Sequence, residues 1–229
     1  MAKDDRYLVI SDTQIPFEHV DSLSFCKRIQ KEYRIPKENV LHVGDETDQY
    51  FGSLYSHNPN ATHSPRTEIE DSKRRLREWY RAFPLMRLAV SNHMLRWVNK
   101  ATAVGIPSQV IKPYRTLIEA PKTWRWEHEW IIKTKHPFRI IHGMGYSGLN
   151  GARNAALDAG ISTAIGHLHS CAGIAIVRTT ALNIWAMNVG CLIDNEAYAF
   201  QYNKNQRNKP AIGVGVVVDS GKTPIWVPL

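Results

Sequence analysis

The sequence predicts an α/β chain whose last third turns mostly to β, a pattern that allows two sheets packed face to face. Three observations carry this. The first half alternates short apolar runs with helix-length segments, the last third strings four strand-like runs together, and polar residues recur directly after the strands of the first two thirds.

Taken in order, "YLVI" (7–10) is a strand-like run followed by the helix-like "HVDSLSFCKRIQKEY" (19–33). "NVLHVG" (39–44), the helix-like "IEDSKRRLREWYRAF" (69–83) and "PLMRLAVS" (84–91) repeat the alternation, which argues for βαβ units with parallel strands. In the second helix Leu76, Trp79, Tyr80 and Phe83 fall at i, i+3, i+4 and i+7 and predict a buried face. The Trp-rich "TWRWEHEWIIKT" (123–134) reads as a hairpin, and that packing is preferred over base stacking for Trp124, Trp126 and Trp130. "FRIIHG", the helix-like "NGARNAALDAG" and "STAIGH" come next, and then the strands "GIAIVRTT", "ALNIWAMNVG", "IGVGVVVD" and "PIWVPL".

With 229 residues, no repeat and no low-complexity linker, one domain is expected over 1–229, with about 95–138 an insertion between its motifs. Lys plus Arg total 29 against 21 acids, a net +8, which suits a polyanionic partner such as nucleic acid. Three cysteines without CxxC spacing predict no disulfide framework. "MAKDDR" lacks an apolar signal core and no apolar run approaches membrane-spanning length, so a cytoplasmic protein is expected, in the host cytoplasm if phage-encoded.

Asp12 follows the first strand and "GDETD" (44–48) the second. Asn92 and His93 follow the third, His142 ends "FRIIH", and "GHLH" (166–169) follows the next. Loops at the carboxyl ends of parallel strands form the ligand crevice of α/β sheets. A lone His beside a strand is ordinarily a hydrogen-bonded core residue, and His42 is read that way. Asp12, Asp45, Asn92, His142, His167 and His169 at successive strand ends instead predict a metal site. Carboxylate, amide and imidazole ligands without thiolate suit Mn, Fe, Zn or Ni.

In this order the motifs resemble those of the calcineurin-like metallophosphoesterase superfamily, across Asp12 to His169, with "NVG" at 188–190 resembling the turn that often comes after them. Within it they are similar to small phage- and plasmid-borne members related to repair exonucleases. The resemblance implies a four-layer αββα sandwich with two mixed β-sheets and a dinuclear metal site at strand ends. It implies that Asp12 and His169 hold the first metal, that Asn92, His142 and His167 hold the second, and that Asp45 bridges them. His93 would protonate the leaving oxygen and Asp48 would orient His93. The cofactors would be two divalent ions, Mn²⁺ first, with Zn²⁺, Fe²⁺, Ni²⁺ or Mg²⁺ as alternatives, and the reaction an attack on phosphorus by metal-activated hydroxide.

Three positions depart from the family pattern. Gln14 stands where His is usual, Ser91 where Gly is usual and Met94 where an acid is usual. Gln14 is expected to fill the metal slot through its amide oxygen, the alternative being a hydrogen bond to its own loop. "HGMGYSGLNGARN" (142–154) could offer backbone N–H groups and Arg153 to a substrate phosphate, or serve only loop flexibility. Lys73, Arg74, Arg77 and Arg81 are read as a solvated helix face, with phosphate tracking as the other reading. His19, His57 and His63 fall in loops with no partner the sequence supplies.

The expected activity is that of a metal-dependent phosphodiesterase whose substrate is DNA or RNA, with no membrane partner and no oligomeric state assigned. The alternatives are a phosphomonoesterase acting on nucleotides or phosphoproteins, and a catalytically impaired nucleic-acid binding module.

Overall fold

A computed structural model describes residues 5–53, 61–196 and 209–229; His57 lies outside them. In chain order the elements are β1 (Tyr7–Ile10), α1 (Ser22–Glu32), β2 (Val40–His42), α2 (Pro65–Ala82), β3 (Met86–Ala89), α3 (Arg96–Ala103), α4 (Tyr114–Leu117), β4 (Trp124–Glu127), β5 (Trp130–Ile132), β6 (Phe138–Ile141), α5 (Gly151–Ala159), β7 (Ser162–Ile165), β8 (Gly173–Arg178), β9 (Asn183–Asn188), β10 (Gly213–Val218) and β11 (Thr223–Pro228). They form an α/β sandwich with two mixed sheets, ordered β11-β10-β1-β2-β3-β4 and β5-β6-β7-β9-β8.

The apolar runs explain the layering. Every residue of β1 is buried, as expected of a strand covered on both faces. Leu8 and Ile10 pack with Phe25, Cys26 and Ile29 of α1 and Leu76 and Trp79 of α2. Their neighbours Tyr7 and Val9 point the other way, into a core shared with Phe138, Ile140, Ala164 and Met187 of the second sheet. On that sheet's far side Ala152, Ala155 and Ala156 of α5 lie against Ile165 and Ala186. Small side chains let α5 approach its strands closely.

Local signals set the element ends. α2 begins with Pro65 after a capping box, in which Ser64 Oγ accepts from Thr67 N (3.2 Å) and Thr67 Oγ1 accepts from Ser64 N (2.8 Å). Its expected buried face is present: Leu76, Trp79 and Phe83 are core, and Tyr80 is partly buried with its hydroxyl donating to Ile118 O at 2.9 Å.

The expected hairpin at 123–134 is corrected. β4 pairs parallel with β3, in register Met86 to Trp124, whereas β5 pairs antiparallel with β6 in the other sheet. Alternating aromatics mark a strand but not its partner, and here the chain changes sheets at His128 and Glu129. The 95–138 stretch therefore supplies one edge strand to each sheet. Likewise β8 and β9 join the second sheet while β10 returns beside β1. The three tryptophans are structural: their indole N–H groups donate to Phe83 O, Glu46 Oε1 and Leu88 O at 2.8–2.9 Å.

No helix among the described residues is long and apolar enough to cross a membrane. Cys26, Cys171 and Cys191 are free thiols.

Candidate metal centre

β1, β2 and β3 run parallel, as do β6 and β7, and the turns leaving them converge. Asp45 Oδ2 lies 3.4 Å from His142 Nε2, and Asn92 Oδ1 lies 2.8 Å from the same nitrogen. The His142 and His167 rings are 5.0 Å apart between centroids. Asp12 Oδ2 lies 3.1 Å from His169 Nε2 and accepts the His167 backbone N–H at 2.8 Å. Two groups of candidate ligands emerge, Asp45 with His142 and His167, and Asp12 with Asp45 and His169. In each, the ligand atoms lie within 4.8 Å of one another.

The backbone is bent to make this possible. Gln14, Asp45 and His167 have φ of 46°, 54° and 68°, a region that costs non-glycine residues about 1–3 kcal/mol and that clusters at functional sites. Glycine is required at two close approaches. A Cβ on Gly44, whose φ is 102°, would sit 2.8 Å from Ser91 Cβ and 3.0 Å from His142 Nδ1, and one on Gly166 would overlap the Asp12 carboxylate. Ser91, before Asn92, leaves no room for a side chain at Gly44. Asn188 of the "NVG" turn donates to Leu168 O at 2.9 Å and braces the loop between His167 and His169.

Charge within the cluster is strongly coupled. Burial would raise the Asp45 carboxyl, yet His142 and His93 hold it well below the usual carboxylate range. Burial would lower His142, and Asp45 reverses this and lifts it to about 9. His167 is lowered by burial and by neighbouring His142.

The residues fit divalent cations. Asp12 Oδ1 is a buried oxygen that no hydrogen bond satisfies, and so is Gln14 Oε1. Buried acceptors in want of a donor are costly unless a cation or a proton reaches them. Gln14 is fully buried, with Nε2 3.4 Å from Asp45 Oδ2 and 3.3 Å from His169 Nε2. Turning the amide by half a rotation exchanges its two ends. The side chain thus faces the cluster and not its own loop.

His93 and Asp48 form the flank. His93 Nδ1 lies 3.1 Å from Asp48 Oδ1, and both side chains are buried. His93 Nε2 lies 3.5 Å from Asp45 Oδ2 and receives a 2.6 Å hydrogen bond from Arg96 Nη2. Arg96 also donates to Asp48 O at 2.7 Å. Arg96 is a site residue that sequence motifs alone miss. Its signal is the i+3 spacing from His93 into a helix start, which brings both side chains to one face.

Other candidates stay apart. Arg153 is exposed in the first turn of α5, and no hydrogen bond among the described residues links it to the cluster. Three of the four α2 cations are paired with acids: Lys73 and Arg77 meet Glu119 at 3.0 and 3.2 Å, and Arg74 meets Asp71 at 2.6 Å. His42 is core as expected, its Nδ1 accepting Gly44 N–H at 3.1 Å and burial lowering it to about 4. His19 accepts from Asp21 N, and His63 packs edge-on against Phe17. No protein-family model and no curated protein matches this chain.

Proposed function

We propose that this chain is a dinuclear metal-dependent phosphoesterase of the calcineurin-like kind, a four-layer αββα sandwich that acts on phosphodiesters, nucleic acid first among them. The observation that carries the reading is the pair of ligand groups sharing the buried Asp45, with His93 against it. Asp12, Gln14, Asp45 and His169 would hold one cation, and Asp45, Asn92, His142 and His167 the other. Mn²⁺ is preferred because oxygen ligands are numerous and no thiolate is present. When bound, the two cations neutralise phosphoryl oxygens and bring the pKa of a water toward neutrality.

The chain's own residues do the rest. Asp48 Oδ1, 3.1 Å from His93 Nδ1, fixes that side of the ring and leaves Nε2 toward the centre. In that position a protonated His93 gives its Nε2 proton to the leaving oxygen. Arg96 now occupies Nε2. An incoming phosphate oxygen, a charged acceptor, draws the guanidinium away and frees Nε2 to take up from solvent the proton that it then passes to the leaving oxygen. Arg96 then holds the phosphate while His93 serves the leaving group. The net charge of +8 favours a polyanionic substrate, although α2 is not its track, because its cations are largely paired.

The test is hydrolysis of bis-p-nitrophenyl phosphate against p-nitrophenyl phosphate, with Mn²⁺ and after chelation. Cleavage of the diester that chelation abolishes and Mn²⁺ restores is expected. A faster monoester would reassign the enzyme to phosphomonoesters, and no metal-dependent turnover on either would leave a binding module.

A further inference from the structure

Positive charge that α2 does not leave free is gathered where β3 and β4 begin. A cavity of about 270 Å³ opens there, lined by Arg87, Lys122, Arg125 and Glu38 together with Leu85 and Met86. Arg87 and Arg125 are in register between the two parallel strands, so their side chains leave the same face of the sheet. Like charges side by side on neighbouring strands repel. Arg87 is half-buried and its Nη2 donates to the Glu38 backbone O at 3.2 Å, but no carboxylate among the described residues pairs with it. The half-buried Arg75, Arg96 and Arg139 differ, each standing 3.1–3.5 Å from a carboxylate oxygen. Burial lowers the Arg87 pKa, and Arg125 adds to the fall. Arg125 is exposed and lies over the Trp130 ring, 5.7 Å from its centroid, a contact that steadies the guanidinium without neutralising it.

We propose that Arg87, Arg125 and Lys122 form a binding site for a phosphate group, apart from the candidate metal centre. Three cations against the single Glu38 carboxylate leave two positive charges in excess, and a phosphate group with about −1.5 to −2 charges at neutral pH balances them. Two guanidinium forks and an ammonium supply donors enough for several phosphate oxygens at once. The phosphate also removes the repulsion between Arg87 and Arg125. Arg87 lies near the start of β3 and Asn92 past its end, so the group held here is not the one that the metal centre would attack. The site needs no metal and does not rest on the phosphoesterase reading.

Charge sets other occupants aside. A carboxylate carries one charge and would leave a cation unmatched. An apolar partner would cover the cations without pairing them, which is costly. Free inorganic phosphate and a backbone phosphate of nucleic acid offer the same chemistry, and the experiment separates them.

The metal-chelated protein is titrated with inorganic phosphate at constant ionic strength, and with acetate in a parallel series. The ¹H–¹⁵N resonance of the Trp130 indole, whose ring Arg125 covers, is the local probe and is assigned through Trp130→Phe. Phosphate should move it saturably and bind about tenfold more tightly than acetate. Arg87→Gln and Arg125→Gln should each weaken phosphate about tenfold, one charge-assisted hydrogen bond's worth. Arg125 is exposed, so its variant decides the matter even if Arg87→Gln fails to fold. Anisotropy of a labelled single-stranded DNA oligonucleotide, followed across salt, identifies the source. If nucleic acid supplies the phosphate, Arg125→Gln should reduce the salt slope by about one; an unchanged slope beside weakened phosphate binding assigns the site to free phosphate. No saturable shift with phosphate, an equal response to acetate, or an affinity unchanged in Arg125→Gln would overturn the site. Metal-dependent cleavage of bis-p-nitrophenyl phosphate is measured in parallel. Cleavage without phosphate binding here sinks this site alone, and binding without cleavage sinks the phosphoesterase reading alone.

Discussion

The two halves of the candidate metal centre share Asp45 and differ in nearly everything else. Around His142 the candidate ligands would be Asp45, Asn92, His142 and His167, and the side chains of Asp45 and His142 are each only 1% exposed. Around His169 the candidate ligands would be Asp12, Gln14, Asp45 and His169, and the His169 side chain is 18% exposed. One half offers two imidazoles, with Asn92 and His167 partly exposed. The other offers one imidazole and the neutral amide of Gln14, with Asp12 and Gln14 fully buried. A cation is held by charge, by ligand strength and by exclusion of competing water, so the halves should bind unequally. The His142 half should keep its metal, and the His169 half should exchange it.

The most damaging way to break the comparison is Asp45→Asn, which removes the anion common to both halves. Metal analysis of the purified variant should find both ions lost together, and turnover with them. Retention of two tight ions and full activity would mean that Asp45 bridges nothing. His93→Ala probes the flank that neither half contains. Cleavage of DNA, whose leaving oxygen needs a proton, should fall about 10²–10⁴-fold, while nitrophenyl esters are spared. Equal losses on both substrates would give His93 a positioning role.

Gln14→His sharpens the comparison most directly. Restoring a nitrogen ligand should tighten the His169 half by roughly 10–100-fold, on the scale that shell substitutions reach. A calorimetric titration of apo-protein should then show two strong sites where wild type shows one strong and one weak. Two equally tight wild-type sites would abolish the distinction between the halves.

The smallest effect concerns the support behind Asp48. Glu68 of α2 accepts N–H groups of Tyr50 and Phe51, and burial, with Asp48 nearby, raises its carboxyl to about 8. A carboxyl that keeps its proton longer when folded contributes stability fully below about 4.5 and loses it as pH rises through about 8. Glu68→Gln should therefore flatten the fall in Tm between pH 5 and 8 and raise Tm at pH 8 by a few degrees, on the order of 2–4 °C per kcal/mol for a chain this long. Thermal melts across that range would show it, and an unchanged slope would mean Glu68 stays ionised in the folded protein.

The individual strands and helices were legible because each rests on local pattern. "YLVI" is apolar throughout because both faces of β1 are covered, and the helix expected over 69–83 is present, although the capping box of Ser64 and Thr67 starts it earlier, at Pro65. The candidate ligands were legible for a related reason. Parallel strands of one sheet bring the residues just past their carboxyl ends to a common edge: Asp12, Asp45 and Asn92 stand at that edge of the first sheet, and His142 and His167 at that of the second. By itself, then, the sequence determined most strands and helices and which polar side chains stand at strand ends; the packing of the two sheets brings those of one sheet against those of the other. It could not determine partners. The aromatic alternation of "TWRWEHEWIIKT" is the same whether β4 pairs with β5 or with β3, because period two records faces and not neighbours. Nor could it show that Arg96 sits on His93, that Gln14 faces the ligands, or that Arg87 and Arg125 line one cavity. Those are distances across separate elements, and only the packing of α2, α3 and the two sheets decides them.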